Sequence, residues 1–193
     1  MMAGYRREPV DLGVYESRAR RGPCFVCAIV AGKPDYRHEV VYEDEHHIAF
    51  LDRWPTVPAK ALVAPKAHVE QVVRDLDDAE FHRLMGVVRL VALAVEDVVA
   101  PERTYLLSLG SQQGNSHIHW HVAGLPPDVP YNEQQFYALM AEHGVLRQTA
   151  PDEQRLGRLI RQAVLARAGG GRAGASRGGQ TGLHGECGSQ VSG

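Results

Sequence analysis

Cysteine is scarce in this chain: three among 193 residues, two of them in the run Cys24-Phe25-Val26-Cys27 and the third, Cys187, alone in a glycine-rich stretch. That number and placement exclude a secreted disulfide framework and leave a metal or redox role for the close pair. An excess of charge is missing as well. With a formal charge of -2, the chain has no global field that would coat a nucleic acid or an acidic membrane, so neither partner is expected and any anionic ligand must be met locally. No run approaches the ~18 apolar residues of a spanning helix, and no apolar signal-peptide core follows the segment Met1 to Arg7. The expected location is therefore the cytoplasm. No internal repeat is present.

What is present is 44% apolar residues, enough for one domain with a buried core. Residues 1–23 are polar and arginine-rich without a clean period and are expected to form an arm on the surface. The domain proper is expected over 24–130. A short helix, Cys24 to Ala31, is stopped by Gly32 and Pro34. Strands follow at Val40 to Tyr42, Ile48 to Leu51 and Lys60 to Ala64, the first two joined by the polar turn Glu43-Asp44-Glu45. Asp77 or Asp78 is the expected cap of the longest helix, whose Leu84, Val87, Val88, Val91, Val95 and Val98 recur at helical spacing until Pro101. Strands at Thr104 to Leu109 and His117 to Ala123 flank the loop Gly110 to Ser116. The fold class is α+β with a mainly antiparallel sheet and a long helix packed on it. A helical extension is expected over 131–168, with helices near Asn132 to His143 and Asp152 to Arg167. The glycine-rich tail 169–193 has too few bulky apolar residues to offset the entropy of ordering and is expected to be disordered.

The segment His117-Ile118-His119-Trp120-His121 carries the chemistry. On a strand its three imidazoles project to one side, about 6.6 Å from one to the next, while Ile118, Trp120 and Val122 anchor the other side to the core. Imidazoles so placed can divide the roles of nucleophile, metal ligand and leaving-group donor. A solvated strand face or a fortuitous surface metal site is the plain alternative. The other histidines, His38, His46, His47, His82, His143 and His184, have no spacing that marks a site.

His117 to Ala123 resembles the signature of the histidine-triad (HIT) family, three histidines alternating with apolar residues. The resemblance extends to the Cys24 to Cys27 run, the strands around Tyr42 and Phe50-Leu51-Asp52, the segment Val63-Ala64-Pro65-Lys66-Ala67-His68 and the long helix, in family order. It implies a nucleotide hydrolase or nucleotidyl transferase acting at the α-phosphorus of a nucleoside phosphoramidate, a dinucleoside polyphosphate or a nucleotidyl ester. His119 would be the nucleophile, transiently nucleotidylated, and His121 the donor to the leaving group. Transferase branches place glutamine at the third triad position, so His121 favours water as acceptor. A non-catalytic nucleotide-binding regulatory protein is the alternative.

The resemblance also implies a structural zinc held by Cys24, Cys27, His68 and His117, whereas the Cys24/Cys27 pair by itself reads equally as two buried thiols or a redox motif. Asp52 is assigned to the ribose hydroxyls by the resemblance; a turn aspartate before Pro55 is the alternative. Phe50 suits either a base-stacking wall or the core. Asn115 and Ser116, with Gln112 and Gln113 as substitutes, are the candidate phosphate contacts, on a loop shorter than the usual family pattern. Family members commonly pair through the long helix and the adjacent strand, which makes a homodimer the natural expectation.

Overall fold

The computed structural model describes residues 6–170. The glycine-rich tail lies outside the described residues, apart from Gly169 and Gly170, which end the last helix. In chain order the elements are β1 (Arg7–Glu8), α1 (Leu12–Arg21), α2 (Phe25–Val30), β2 (Val40–Glu43), β3 (His47–Leu51), β4 (Ala61–Pro65), α3 (Asp78–Val99), β5 (Arg103–Ser108), β6 (Trp120–Leu125), α4 (Phe136–Leu139), β7 (Val145–Leu146) and α5 (Ala150–Gly170). Five strands form one antiparallel sheet in the order β2-β3-β4-β6-β5, and β1 pairs with β7 in a separate ribbon. The α+β class with its antiparallel sheet is as expected. Among the described residues no helix is long and apolar enough to cross a membrane.

Alternation along the strands sorts side chains to two faces. Val41, Ala49, Leu51, Ala61, Val63 and Val122 face α3, where Leu84, Val88, Val91 and Val95 meet them in the largest buried cluster. Ile48, Phe50, Leu62 and Ala64 face the other way and enclose Val26, Ala28 and Ile29 of α2. The central strands β3 and β4 are therefore buried on both faces, which is why they read as continuous apolar runs. The boundaries of α3 follow from its ends. Asp77 and Glu80 make a reciprocal capping box, and Ala100 closes the helix in the left-handed region just before Pro101.

Two expectations need correction. Residues 12–21 form a helix, although no apolar period announces it. Its stability is local: Asp11 caps it by accepting from the Val14 N–H, and Arg18, Arg20 and Arg21 sit in its last turn, where cations meet the negative end of the dipole. Nor is Asn132 to His143 one helix. Only Phe136–Leu139 is α-helical, Gln135 before it has φ 54°, and Gly144 after it has φ 93°. The carbonyl of Ala138 accepts from Arg7 and that of Leu139 from Thr56, so tertiary donors compete for the groups that would continue the helix.

The second extension helix forms and belongs to the main core. Ile160 is 0% exposed and, with Val164, joins the α3 cluster. Arg167 forks onto both oxygens of Asp97 of α3 at 2.6 Å each. Truncating Ile160 to Ala should therefore cost about 2–5 kcal/mol of unfolding free energy, like other buried Ile truncations. Urea denaturation checks this, and a loss below about 0.5 kcal/mol would mean that α5 is an appendage rather than part of the fold.

Candidate functional site

Cys24, Cys27, His68 and His117 converge, each offering one ligand atom, with all four atoms within 4.8 Å of one another. Cys24 Sγ and Cys27 Sγ lie 3.3 and 3.6 Å from His117 Nδ1, and Cys27 Sγ lies 3.3 Å from His68 Nδ1. Around a tetrahedral ion with metal–sulfur bonds near 2.3 Å and metal–nitrogen bonds near 2.05 Å, sulfur–nitrogen edges measure about 3.6 Å. The residues therefore fit a metal ion. Each imidazole is also braced on its far side, His68 Nε2 at 3.0 Å from Glu70 Oε1 and His117 Nε2 at 2.9 Å from the Pro65 carbonyl. Such partners fix the ring and leave Nδ1 for the metal. Burial, then the neighbouring Cys24 thiol, pushes the Cys27 thiol up to about 11, a proton that a bound cation would displace.

The lead-in to β6 is not in the ladder as far as His117 and His119. Pairing with β4 and β5 begins at Trp120, and the preceding residues are placed by the Ile118 N–H donating to the Val69 carbonyl at 2.8 Å. The alternation nevertheless holds, with Ile118, Trp120 and Val122 against the α3 core. His119 is 4% exposed. Its Nδ1 lies 2.8 Å from the carbonyl of His117. A carbonyl only accepts, so Nδ1 carries the proton and Nε2 keeps its lone pair. Burial pushes the His119 imidazole below its usual range, against the bond to His117. The His121 ring lies 4.9 Å from that of His119. Burial, then Lys60 and His119, depresses it to about 3, and its buried Nδ1 has no hydrogen-bond partner among the described residues.

Lys60 is the residue that sequence reasoning passed over as the start of a strand. Its Nζ lies 3.1 Å from Asp52 Oδ2, with side-chain exposures of 8% and 10%. A lysine within Val57-Pro58-Ala59-Lys60-Ala61-Leu62 was the available signal, because a buried lysine requires a partner. Burial alone would raise the Asp52 carboxyl, but Lys60, then His121 and the Trp54 N–H, outweigh it and hold the group below its usual range. Asp52 Oδ1 accepts from that N–H at 2.9 Å, so the turn role is visible.

The remaining candidates divide. Phe50 is 0% exposed, its ring edge-on to Phe25 and His38 within the α2 cluster. Of the two readings offered by the sequence, the core is where it stands, and no face of the ring is open to a base. The Ser116 hydroxyl donates to Glu70 Oε1 at 2.8 Å, the same carboxylate oxygen that lies 3.0 Å from His68 Nε2. Asn115 has φ 57° and donates through Nδ2 to the Tyr15 hydroxyl at 3.4 Å, while Gln113 is exposed, its N–H held by Ser111 Oγ at 3.1 Å. Beyond Asp52 an open groove of about 1060 Å³ is lined by His38, Arg37, Arg53, Arg147 and Glu153 among others. Its walls come partly from β7 and the start of α5.

Comparison with known proteins now places the chain. The family model of the HIT domain matches residues 33–127, and Protein hit of Bacillus subtilis is 35% identical over 104 residues, covering 53% of this chain and 70% of the relative. The chain belongs to the HIT family. A hypothetical histidine triad nucleotide-binding protein from Sulfolobus tokodaii superposes with a TM-score of 0.60 at 26% identity, covering 74% of this chain and 93% of that one. A zinc-bound histidine triad family protein from Mycobacterium smegmatis gives a TM-score of 0.60 at 24% identity, over 76% and 96% of the two chains.

The hydrogen bond from His119 and its depressed basicity can be checked together. Nitrogen-15 spectra of the histidine rings should show His119 as the neutral Nδ1–H tautomer at pH 6, below the ordinary imidazole midpoint of about 6.5. Because its pKa is lowered, the neutral form persists as pH falls through that midpoint. A cationic ring at pH 6, or the Nε2–H tautomer, would contradict this geometry.

Proposed function

We propose that this HIT protein is a nucleotide hydrolase that cleaves at the α-phosphorus of a nucleoside phosphoramidate, a dinucleoside polyphosphate or a nucleotidyl ester, by way of a covalent nucleotidyl-His119 intermediate. The observation that carries this reading is the His119 Nδ1 contact to the His117 carbonyl at 2.8 Å, which aims an unprotonated Nε2 away from the backbone. Family membership and the nucleotide-binding relative from Sulfolobus tokodaii support it.

Nε2 attacks the phosphorus, forming a P–N bond as the bond to the leaving group breaks and that group departs with the electron pair. The imidazole gains positive charge as the P–N bond forms, and the His117 carbonyl, accepting from Nδ1–H, stabilises it. His121 supplies the hydrogen bond to the departing atom or to a non-bridging oxygen, since its Nδ1 is unpartnered. Water then attacks the phosphorus, breaks the P–N bond and restores neutral His119. The Lys60 ammonium, buried beside the centre, adds positive potential where phosphate charge accumulates. Asp52 would accept from the ribose with lone pairs that Lys60 and Trp54 leave open. The groove beyond it would receive the rest of the nucleotide, and Asn115 and Gln113 would line the phosphate side. The His119→Ala variant should lose turnover by about three orders of magnitude or more while keeping its fold. Rapid quenching of wild type with labelled nucleotide should trap an acid-labile adduct that the variant lacks, and near-normal turnover in the variant would overturn the mechanism.

The metal in this reading is zinc, held by Cys24, Cys27, His68 and His117; the zinc-bound Mycobacterium smegmatis relative supports it. Four protein ligands leave no open position, so it would tie α2 to the triad segment and take no part in the reaction. Elemental analysis should find about one zinc per chain. Cys24→Ser and His68→Ala should both lower the metal content and the melting temperature, and full stability in metal-stripped protein would remove the structural role. A homodimer through α3 and the adjacent strand belongs to the same proposal; the edge strand β5 leaves Leu106 43% exposed for it, although α5 already covers part of α3.

A further inference from the structure

The groove beyond Asp52 carries an excess of positive charge that hydrolysis at the α-phosphorus does not use. Of the cations along its walls, Arg147 lies 3.5 Å from Glu8. Arg18, Lys33, Arg37 and Arg53 form no ion pair among the described residues. Of the acids there, Glu8 is met by Arg147 and Asp52 by Lys60, which leaves Asp35 and Glu153. Burial, then Glu39, raises the Glu153 carboxyl, against the pull of Arg53.

Two of the four unpaired cations converge. Arg18 donates to the Asp35 carbonyl at 2.8 Å, and Arg53 donates to the same oxygen at 3.3 Å. A carbonyl carries no net charge, so two guanidiniums stand side by side with their repulsion unrelieved. Each is also held by a ring, Arg18 over Tyr36 at 4.0 Å and Arg53 over Trp54 at 5.6 Å. The pair lies close to Asp52. Burial pushes the His38 imidazole below its usual range and its bond to the Tyr36 carbonyl raises it; the charges that act on it next are Arg53, Asp52 and Arg18. One ring therefore feels both cations and the carboxylate proposed to meet the ribose.

The position of the pair limits what it can meet. With the α-phosphorus at His119 and the ribose at Asp52, the groove beyond Asp52 faces whatever the ribose carries besides its 5′ phosphate: the base and any substituent of the 2′ or 3′ hydroxyl. The bases are neutral at pH 7 and call for no cation. A phosphate on a ribose hydroxyl is close to a dianion, with three oxygens that two guanidinium forks can share. The other hydroxyl stays available to Asp52, whose charge Lys60 offsets. Arg18 comes from α1, ahead of the family match that begins at residue 33, so this feature is an addition to the HIT frame.

We propose that Arg18 and Arg53 form a phosphate subsite in this groove, and that the substrates of this protein are nucleotides phosphorylated on a ribose hydroxyl as well as at the 5′ position. The substrate class rests on the function proposed above. The test is calorimetry on the full chain at pH 7 with AMP, adenosine 2′,5′-bisphosphate and adenosine 3′,5′-bisphosphate, the last two separating the two hydroxyls. Wild type should bind at least one bisphosphate about tenfold or more tighter than AMP, and Arg18→Gln and Arg53→Gln should each bring that ratio below about threefold. AMP is the internal reference, because a loosened fold weakens both ligands and leaves their ratio alone. Equal affinity for all three nucleotides in wild type, a ratio that survives either substitution, or no binding of either bisphosphate overturns the subsite. The function proposed above fails in a different way: a bisphosphate preference that depends on both arginines, alongside equal turnover in wild type and His119→Ala, keeps the subsite and removes the hydrolysis.

Discussion

His117 joins two arrangements through different parts of one residue. Its ring points into the Cys24, Cys27 and His68 cluster, and its carbonyl holds the Nδ1 proton of His119. The tautomer of His119 is therefore set by the backbone of a residue whose own ring is fixed by α2, Pro65 and the segment around His68. A shift of the cluster is a shift of the His119 hydrogen bond. The four donors and the His119 ring are thereby coupled through a single residue.

The second constraint is electrostatic. A buried ammonium and a buried carboxylate, Lys60 and Asp52, face each other next to two imidazoles that burial keeps neutral. Desolvation makes such a pair costly unless the geometry is good, yet the pair leaves the centre poised. It holds a fixed positive charge close by while both rings keep their lone pairs.

The architecture was largely legible because its signals are periodic: alternation in the strands, helical spacing in α3 and an acidic cap at Asp77. The cysteine pair, His68 and His117 were legible as a set only through family order, since their convergence is a property of the tertiary fold. What could not be read was mostly non-periodic. The helix α1 is stabilised by a cap and a dipole and has no apolar stripe. The broken stretch after Pro130 is set by donors from Arg7 and Thr56, distant in sequence. Lys60 hid within an apolar run, and Ser116, adjacent to the triad, turned out to serve Glu70. Phe50 shows the limit of single-residue inference, because an aromatic on a strand looks the same whether its ring faces a ligand or the core.

The pairing of β1 with β7 gives the protein a particular order of assembly. Arg7 and Glu8 leave the ribosome early, but their partners Leu146 and Val145 emerge only after every strand of the main sheet has been made. Until then the segment leading into α1 has nothing to pair with, and the sheet with its histidines can form first. The ribbon can therefore close only after all the strands of the main sheet are made, and α5, which follows β7, adds Ile160 and Val164 to the core later still.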